Sequence, residues 1–426
     1  MRAAALSLIQ IKATENVWEL DRWRFRLIAG TQPARDKGPP MNQNHRAAEV
    51  GAKYLSRAQA LGPLLAANAD EIEQNGELPG SLVAMLRDKH FFRLLQPRSV
   101  GGLELDPVSY VPIIEEIASH DASTAWCLGQ NNGCSMTAAY LDHAVAKDIF
   151  GPDDGILAWG PGPATVERVS GGYRLSGNWS FASGSHHATW LGAHVPEPDG
   201  HGAIRTVLFP KSSAKMKAIW RVVGLRGTGS DAYSVAGLFV PEEYTVLRGP
   251  GIRARETGPL YRFTRGNLYA AGFAGVALGI ARGMLAAFVE LARDKVPRGA
   301  KGTLRENAVV QALVAESEAK LRASRSFLID TLRQMWSEVE AHGAFTSSQG
   351  AMLRLASTWA IHQARDAATA LYHAAGATAI FDENPFERRF RDIHTACQQS
   401  QGRPVHLQTV GQILLGLEPQ TALFTF

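Results

Sequence analysis

A helical stretch from Thr303 to Gly343 constrains the fold of this chain more than any other feature. It begins with a capping box, in which the Thr303 hydroxyl and the Glu306 carboxylate each accept a free backbone N–H. Apolar residues then recur at helical spacing until Gly343 ends the pattern. A helix of about forty residues is long for a globular protein. It needs long neighbours to cover its apolar stripe, and helices predicted at 268–292, 348–375 and 404–417 make this a four-helix bundle.

The region before the bundle has two different patterns. From residue 45 to residue 150, apolar residues recur at three- and four-residue spacing, which indicates helices. After Gly151 the segment 172–181 alternates, as a half-buried strand does. Its predicted buried face consists of Tyr173, Leu175, Trp179 and Phe181. Shorter strands are predicted at 205–210, 217–223 and 233–240.

These patterns predict an α+β fold that is mainly α. We expect an N-terminal helical domain at 41–150, a central β-barrel at 151–256 and a C-terminal four-helix bundle at 257–426. Residues 1–40 end in a polar, Pro-rich stretch, and Met41 is a candidate start. We interpret residues 1–40 as a disordered or non-native extension. A cleaved signal is the alternative, but the apolar run at 6–11 is followed by charge rather than by a cleavage site.

Composition excludes several classes of protein. The 426 residues are 45% hydrophobic and 20% charged, as in globular proteins, and no apolar run reaches the ~18 residues of a membrane helix. The net charge is +4, but residues 1–40 hold seven basic and four acidic residues, so the rest carries no strongly basic face for nucleic acid. Three cysteines without CxxC spacing favour neither a disulfide framework nor a metal site. We expect a soluble protein of the reducing cytoplasm.

Four motifs occur in order along the chain: Asp121–Trp126, Trp179–Gly184, Gly224–Ser230 with Val240–Pro241 after it, and Phe390–His394. With the order of the domains, they make the chain from about residue 45 onward resemble the acyl-CoA dehydrogenase superfamily. Within it, the chain resembles the flavin-dependent monooxygenases. The resemblance implies the acyl-CoA dehydrogenase fold and an oxygenase component that uses reduced FAD or FMN and O2. Its chemistry would pass through a C4a-hydroperoxyflavin and oxygenate a small aromatic or heteroaromatic substrate.

The resemblance assigns catalytic roles to Ser183 and His394. Ser183 matches the Ser or Thr that lies beside flavin N5, although it could simply end a strand in a turn. His394 follows Arg391 and Asp392 as in the monooxygenase group, where such a histidine faces the C4a edge and donates to the distal peroxide oxygen. The alternative for His394 is an ordinary histidine on a helix.

Several residues are candidates for binding the cofactor. Arg262 matches the flavin-facing arginine before the first bundle helix, where a guanidinium would stabilise an anionic reduced flavin, or it is a rim residue. Arg226, in the glycine-rich loop, contacts a cofactor phosphate or only bridges strands. The complete set is Trp159, Trp179, Phe181, Ser183, Gly184, Arg226, Arg262 and Arg391.

The predicted substrate pocket consists of Trp126, Asn131 and Cys134. Phenol hydroxylases of the group place a histidine eight residues after the matching tryptophan, where it deprotonates the phenol. Cys134 stands there in this chain, and a neutral cysteine is a poor base. The substrate is therefore one that needs no deprotonation, such as an indole, a sulfide or an amine, or these residues only pack helices.

Two other functions are alternatives. An acyl-CoA dehydrogenase or oxidase has the same fold but needs a carboxylate base, and neither 395–402 nor 266–275 contains one. A non-catalytic, flavin-bearing DNA-protective protein needs a basic bundle surface, whereas Arg and Lys are balanced by Glu in 304–343.

Two kinds of partner are expected. The bundle helices carry more apolar surface than one layer buries, which predicts a homotetramer. The chain has no GxGxxG after a strand to hold NAD(P)H, so we expect a separate NAD(P)H-dependent flavin reductase.

Overall fold

The computed structural model describes residues 43–197, 203–249 and 252–419, with side chains from residue 48 onward. The predicted extension at 1–40 lies outside the described residues. The described chain opens with five helices: α1 (Gln43–Asn75), α2 (Gly80–Asp88), α3 (Pro107–His120), α4 (Ala122–Ser135) and α5 (His143–Phe150). Asp106 and Asp121 cap α3 and α4 through their side chains, which explains where these two helices begin.

Eight strands follow in the described chain. They are β1 (Leu157–Trp159), β2 (Ala164–Val169), β3 (Gly172–Trp179), β4 (Trp190–Pro196), β5 (Ile204–Pro210), β6 (Lys215–Lys217), β7 (Ala232–Pro241) and β8 (Thr245–Arg248). They form two four-stranded sheets, ordered β1–β4–β5–β8 and β2–β3–β7–β6. The pairing of β1 with β4 is parallel and the others are antiparallel. Rings of Trp179, Tyr233 and Phe209 from both sheets meet in the core.

The predicted strand at 172–181 ends earlier than its alternation indicated. Tyr173, Leu175 and Trp179 are buried as expected. Pairing with β7 shifts register between Leu175 and Gly177, and β3 ends at Trp179. Phe181 lies beyond the strand in the left-handed region, with φ 57°, and its side chain is 59% exposed. The expectation that Phe181 lies on the buried face of this strand is therefore wrong.

The predicted strand at 217–223 is also wrong. Asp231 accepts the backbone N–H groups of Ile219 and Trp220 through one carboxylate oxygen, at 2.7 and 2.9 Å. Those are donors that a strand ladder would need. The segment therefore leaves the sheet after Lys217 as a loop fixed by this carboxylate.

The C-terminal part of the described chain contains α6 (Arg265–Asp294), α7 (Ala308–His342), α8 (Ser347–Ala375), α9 (Pro385–Ala396) and α10 (Val405–Leu414). The Thr303–Glu306 capping box is present but opens only one 3₁₀ turn, and Asn307 caps α7 itself. α9 is a helix that the periodicity did not predict. The predicted α+β, mainly α fold of the acyl-CoA dehydrogenase type is confirmed.

α6 lies at the centre of these helices, packed against α3 and α8. Among the described residues it is the one helix long and apolar enough to cross a membrane, and 78% of its most apolar window is buried inside the protein. Helices at the core of soluble proteins share this composition. Because α6 also packs against α4, it forms one wall of the site described next.

Candidate active site

The turn after β3 brings Ser183 beneath helix α4. Gly184 has φ 74° and donates its N–H to the Thr228 carbonyl at 3.1 Å. A Cβ at Gly184 would lie 2.5 Å from the Asn131 Oδ1 atom. Only glycine therefore fits this position, both by backbone conformation and by space.

A chain of hydrogen bonds runs from Trp126 through three hydroxyl groups. Trp126 Nε1 donates to Ser183 Oγ at 3.0 Å. Ser183 Oγ lies 2.6 Å from Ser230 Oγ, which lies 2.7 Å from Thr228 Oγ1. Thr228 Oγ1 in turn donates to the Leu225 carbonyl at 2.8 Å. All three hydroxyl-bearing residues are buried.

The Leu225 carbonyl at the end of this hydrogen-bond chain fixes the direction of every hydrogen bond in it. A carbonyl only accepts, so Thr228 uses its hydrogen on Leu225, and Ser230 must donate to Thr228. Ser183 must then donate to Ser230. The Ser183 oxygen accepts from Trp126 and keeps one lone pair for a further donor. Ser183 is therefore an acceptor toward a ligand, not a donor.

A row of aromatic rings leads from Trp126 toward Cys134. Trp126 stacks on Phe273 with 4.2 Å between ring centroids, and Phe273 stacks on Tyr269 at 5.7 Å. The Tyr269 hydroxyl lies 3.4 Å from Cys134 Sγ. Burial raises the pKa of Cys134 to about 12, so the thiol stays neutral and is no base at neutral pH. Sequence reasoning named Trp126 and Cys134 but missed Phe273 and Tyr269.

Asn131, predicted for the substrate pocket, has its side chain occupied within the protein. Its Nδ2 donates to the Leu157 carbonyl at 3.0 Å and its Oδ1 accepts from His187 Nε2 at 2.9 Å. Burial lowers the pKa of His187 to about 3, so this imidazole is neutral. Asn131 is 1% exposed and ties α4 to the sheet. This geometry assigns it a structural role rather than a substrate contact.

The two predicted cofactor-binding tryptophans are also buried. Trp179 is 1% exposed and stacks on Tyr233 in the core between the sheets. Trp159 is 5% exposed, and the Arg265 guanidinium lies 4.6 Å from its ring centroid. Trp179 is thus a core residue, because no face of its ring is open to a ligand.

Arg226 and Arg391 bind the same carboxylate on α1. Arg391 forms two hydrogen bonds with Glu387, at 2.6 and 2.9 Å, and lies 2.7 Å from Glu73. It also donates to the Val223 carbonyl. Arg226 pairs with Glu73 at 3.1 Å and is half exposed. Arg391 therefore links α9, α1 and the loop after β6. These contacts leave few of its N–H groups for a cofactor.

Asp392 is a buried residue whose role the sequence did not indicate. It accepts the Leu225 N–H at 2.6 Å and so holds the residue whose carbonyl ends the hydroxyl chain. Burial is the main cause that raises the pKa of Asp392 to about 7, and the charges of Asp121 and Glu73 raise it further. This carboxyl therefore titrates near neutral pH.

His394 points at α8 rather than at the hydroxyl chain. Its Nε2 lies 3.0 Å from Thr369 Oγ1, and Thr369 donates to the Arg365 carbonyl, so His394 Nε2–H is the donor. Its ring packs on Phe390 at 4.5 Å. Burial, and then the charge of Arg365, lower the pKa of His394, which favours the neutral imidazole. Among the described contacts, none joins His394 to Trp126, Ser183 or Cys134.

The residues around Ser183 fit a flavin ring. Phe181 is exposed in a backbone conformation that non-glycine residues rarely adopt, which is typical of functional sites. Its ring packs edge to face against Trp220, with 5.8 Å between centroids, two residues before Ser183 in the chain. Arg262, in the turn Pro259–Arg262, is partly exposed. In the described residues, no cluster of His, Cys, Asp and Glu is arranged to hold a metal ion.

Comparison with known proteins identifies the family. Residues 61–146 match the model of the acyl-CoA dehydrogenase N-terminal domain, and residues 271–403 match that of the C-terminal domain. Indole-3-acetate monooxygenase of Pseudomonas putida is 28% identical over 83% of this chain and 91% of that protein. The oxygenase component of p-hydroxyphenylacetate 3-hydroxylase of Acinetobacter baumannii is 27% identical over 88% and 91%.

Solved structures agree with these relatives. XiaF from a Streptomyces species, in complex with FADH2 and glycerol, superposes with a TM-score of 0.83 at 25% identity, covering 89% of this chain and 99% of that one. The two matched domains flank the β-sheets in the order that the fold requires. The chain belongs to the acyl-CoA dehydrogenase superfamily and, within it, to the group of flavin-dependent monooxygenase oxygenase components.

Proposed function

We propose that this protein is the oxygenase component of a two-component monooxygenase, which takes reduced FAD or FMN and O2 and oxygenates a small aromatic or heteroaromatic substrate. The observation that carries the proposal is the acceptor at Ser183, close in the chain to the exposed Phe181 ring, in a protein whose relatives over most of its length are a monooxygenase and the oxygenase component of another. A bound reduced flavin would supply the activation of O2. The protein supplies the apolar, closed surroundings.

The direction of the hydroxyl chain suits a reduced flavin in particular. N5 of a reduced flavin carries a hydrogen, whereas N5 of an oxidised flavin only accepts. Ser183 has a free lone pair, and its hydrogen is already donated to Ser230. We therefore assign Ser183 the contact with N5–H and Phe181 the contact with the ring, while Arg262 remains the candidate for the anionic edge.

The substrate pocket is assigned to the side of α4 and α6 that carries the aromatic row. The stacked rings of Trp126, Phe273 and Tyr269 make this side of the two helices apolar and aromatic. The two relatives named above act on indole-3-acetate and p-hydroxyphenylacetate, both aromatic. Since Cys134 cannot deprotonate a phenol, an indole-like ring fits this chain better than a phenol.

Oxygen labelling tests this function. The protein is mixed under ¹⁸O2 with chemically reduced FMN or FAD and a panel of indoles, sulfides and phenols. We expect one ¹⁸O atom in the product of at least one indole, and none with heat-denatured protein. Product without label, or dehydrogenation of an acyl-CoA by the same preparation, would refute the proposal in favour of a dehydrogenase or oxidase.

Assembly, location and the reductase belong to the same proposal. A homotetramer formed through the C-terminal helices is supported by apolar side chains exposed there, namely Trp359, Ile380, Phe381, Leu414, Leu415 and Leu417. Light scattering at micromolar concentration should give the mass of four chains, and a monomer would contradict this.

We also propose that the protein acts in the cytoplasm and receives its reduced flavin from a separate reductase. Because reduction is then the task of that reductase, NADH and this protein alone should reduce no flavin.

A further inference from the structure

His186 follows Ser183 on the same turn, and each nitrogen of its ring faces a carboxylate. Nε2 lies 2.8 Å from an oxygen of Asp231, and Nδ1 contacts the Glu77 carboxylate. The Asp231 side chain is 11% exposed, so the first contact is largely shielded from water. An ionised carboxylate only accepts hydrogen bonds, so each contact needs a hydrogen on the histidine. Only the doubly protonated, positively charged imidazolium therefore makes both contacts at once.

Asp231 joins the two segments of chain that carry Ser183 and Ser230. It follows Ser230 directly, and its backbone carbonyl accepts the N–H of Ala182, just before Ser183, at 3.1 Å. The hydrogen bond between His186 and the Asp231 carboxylate is a second link between the same segments. The 2.6 Å contact between the two serine hydroxyl groups therefore depends on how these links hold the segments together.

The Asp231 carboxylate also fixes Trp220. One carboxylate oxygen accepts the N–H groups of Ile219 and Trp220, while the other faces His186. The Trp220 ring packs edge to face on Phe181. Burial alone would raise the pKa of Asp231, but the hydrogen bonds from His186 and the two backbone N–H groups outweigh it and lower the pKa. Asp231 therefore stays ionised at neutral pH, and its position affects the Phe181 ring as well as the hydroxyl chain.

The other described titratable groups near His186 are Lys211 and His187. Lys211 Nζ donates to the backbone carbonyl of His186 at 2.6 Å. Burial lowers the pKa of His187 to about 3, so that ring is neutral. The His186 ring packs on Gly229, where a Cβ would lie 2.8 Å from His186 Cδ2. Around the imidazolium, two carboxylates therefore outweigh the one cation, Lys211.

We propose that His186 is a positioning residue for the flavin: its imidazolium, held between two carboxylates, fixes the Ser183 acceptor and so favours binding of reduced flavin. This role rests on the proposed function, because it concerns the same flavin site. When His186 loses a proton, one ring nitrogen presents a lone pair to a carboxylate, and that contact becomes repulsive. The turn that carries Ser183 is then held by one link fewer, and reduced flavin should bind more weakly.

Binding of reduced flavin at different pH values tests this role without turnover. Dithionite-reduced FMN and, separately, FAD are titrated anaerobically into the full-length wild type and His186→Gln, between about pH 5.5 and pH 9. Glutamine is uncharged throughout and donates from only one nitrogen. The wild type should bind about threefold tighter than the variant at about pH 6, the value of a partly exposed charged hydrogen bond. The ratio should approach one at the alkaline end.

The ratio of the two affinities removes titrations that both proteins share. The carboxyl of Asp392 and the flavin itself also titrate, but they do so equally in wild type and variant. A histidine that only stabilised the fold would change thermal unfolding with pH and leave the flavin-affinity ratio constant. A constant ratio would therefore refute the positioning role.

Two further variants complete the test. Glu77→Gln keeps an acceptor beside His186 but removes one of the two negative charges. The imidazolium is then less stabilised, so flavin affinity should fall at a lower pH than in the wild type. His342→Gln, which removes a histidine paired with Glu338 on α7, is the matched control and should follow the wild type at every pH.

The outcomes separate this inference from the proposed function. If His186→Gln does not fold, Glu77→Gln decides, because a pH dependence identical to that of the wild type would overturn the positioning role. A wild type that shows the pH-dependent binding but fails the ¹⁸O test would refute the proposed function alone. A wild type that binds no reduced flavin would refute both.

Discussion

Replacing Asp392 by asparagine should make the protein more stable at alkaline pH. The folded state raises the pKa of Asp392 to about 7 from 3.8. At about 1.4 kcal/mol per pKa unit, a shift of this size amounts to about 4 kcal/mol. Between those two pH values the folded protein keeps a proton that the unfolded chain has released. The stability contributed by protonated Asp392 is therefore present at low pH and lost as the pH rises toward 7.

The asparagine of the Asp392→Asn variant would still accept the Leu225 N–H but has no proton to lose. Urea unfolding at pH 5 and at pH 8 should therefore show a gap between variant and wild type that grows by about 2–3 kcal/mol toward pH 8. Asp382→Asn, at an exposed position before α9, is the control and should follow the wild type. Parallel profiles for Asp392→Asn and wild type, or a variant less stable at pH 8, would refute the reasoning.

Three further predictions concern the site. Ser230→Ala removes the acceptor of the Ser183 hydrogen, so oxidised FMN should bind about fivefold tighter by fluorescence titration, the value of one hydrogen bond; an unchanged affinity would contradict the proton order. His394→Ala and Thr369→Val lose the same hydrogen bond, and each should cost about 1 kcal/mol of stability. If His394 has the peroxide-donor role that the resemblance implies, only His394→Ala should lower product formed per O2 consumed. Equal coupling in both variants would make His394 structural, as its contact with Thr369 indicates. Cys134→Ala should leave the pH profile of turnover unchanged between about pH 6 and 9, since the buried thiol stays protonated across that range, whereas a lost titration there would show that the thiol acts as a base.

Apolar periodicity was enough to predict α7 and α8, because each is buried mainly along one stripe. α6 is buried on nearly all sides, and its long, mostly apolar sequence was enough to predict it. Prediction from the sequence failed where a local polar contact replaced a regular hydrogen-bond pattern. Asp231 accepts the N–H groups of Ile219 and Trp220, and β3 ends at Trp179, two residues before Phe181. Neither event changes hydrophobic spacing.

The site was predictable only in part, for a related reason. Motifs indicated Trp126 and Ser183, which the structure joins by a hydrogen bond. Ser230 and Thr228 lie in a quoted motif too, but their part in the hydroxyl chain depends on contacts made across 47 residues of sequence. Buried Arg265, which lies over the Trp159 ring, left one signal in the sequence, since it occupies the first turn of α6, where a cation opposes the helix dipole. A cation at the start of a helix goes against the preference of that position for negative charge, which indicates that the tertiary structure requires it there.

The Arg391–Asp392–Ile393–His394 motif directs Asp392 and His394 to different neighbours. Side chains two positions apart on a helix point about 200° away from each other. Once Asp392 faces Leu225, His394 must face the opposite side, and there it meets Thr369 on α8. The acid, rather than the histidine, is thus linked to Ser183, because Leu225 both donates to Asp392 and ends the hydroxyl chain. A change in the charge of Asp392 should therefore reach the acceptor at Ser183, even though the two side chains do not touch.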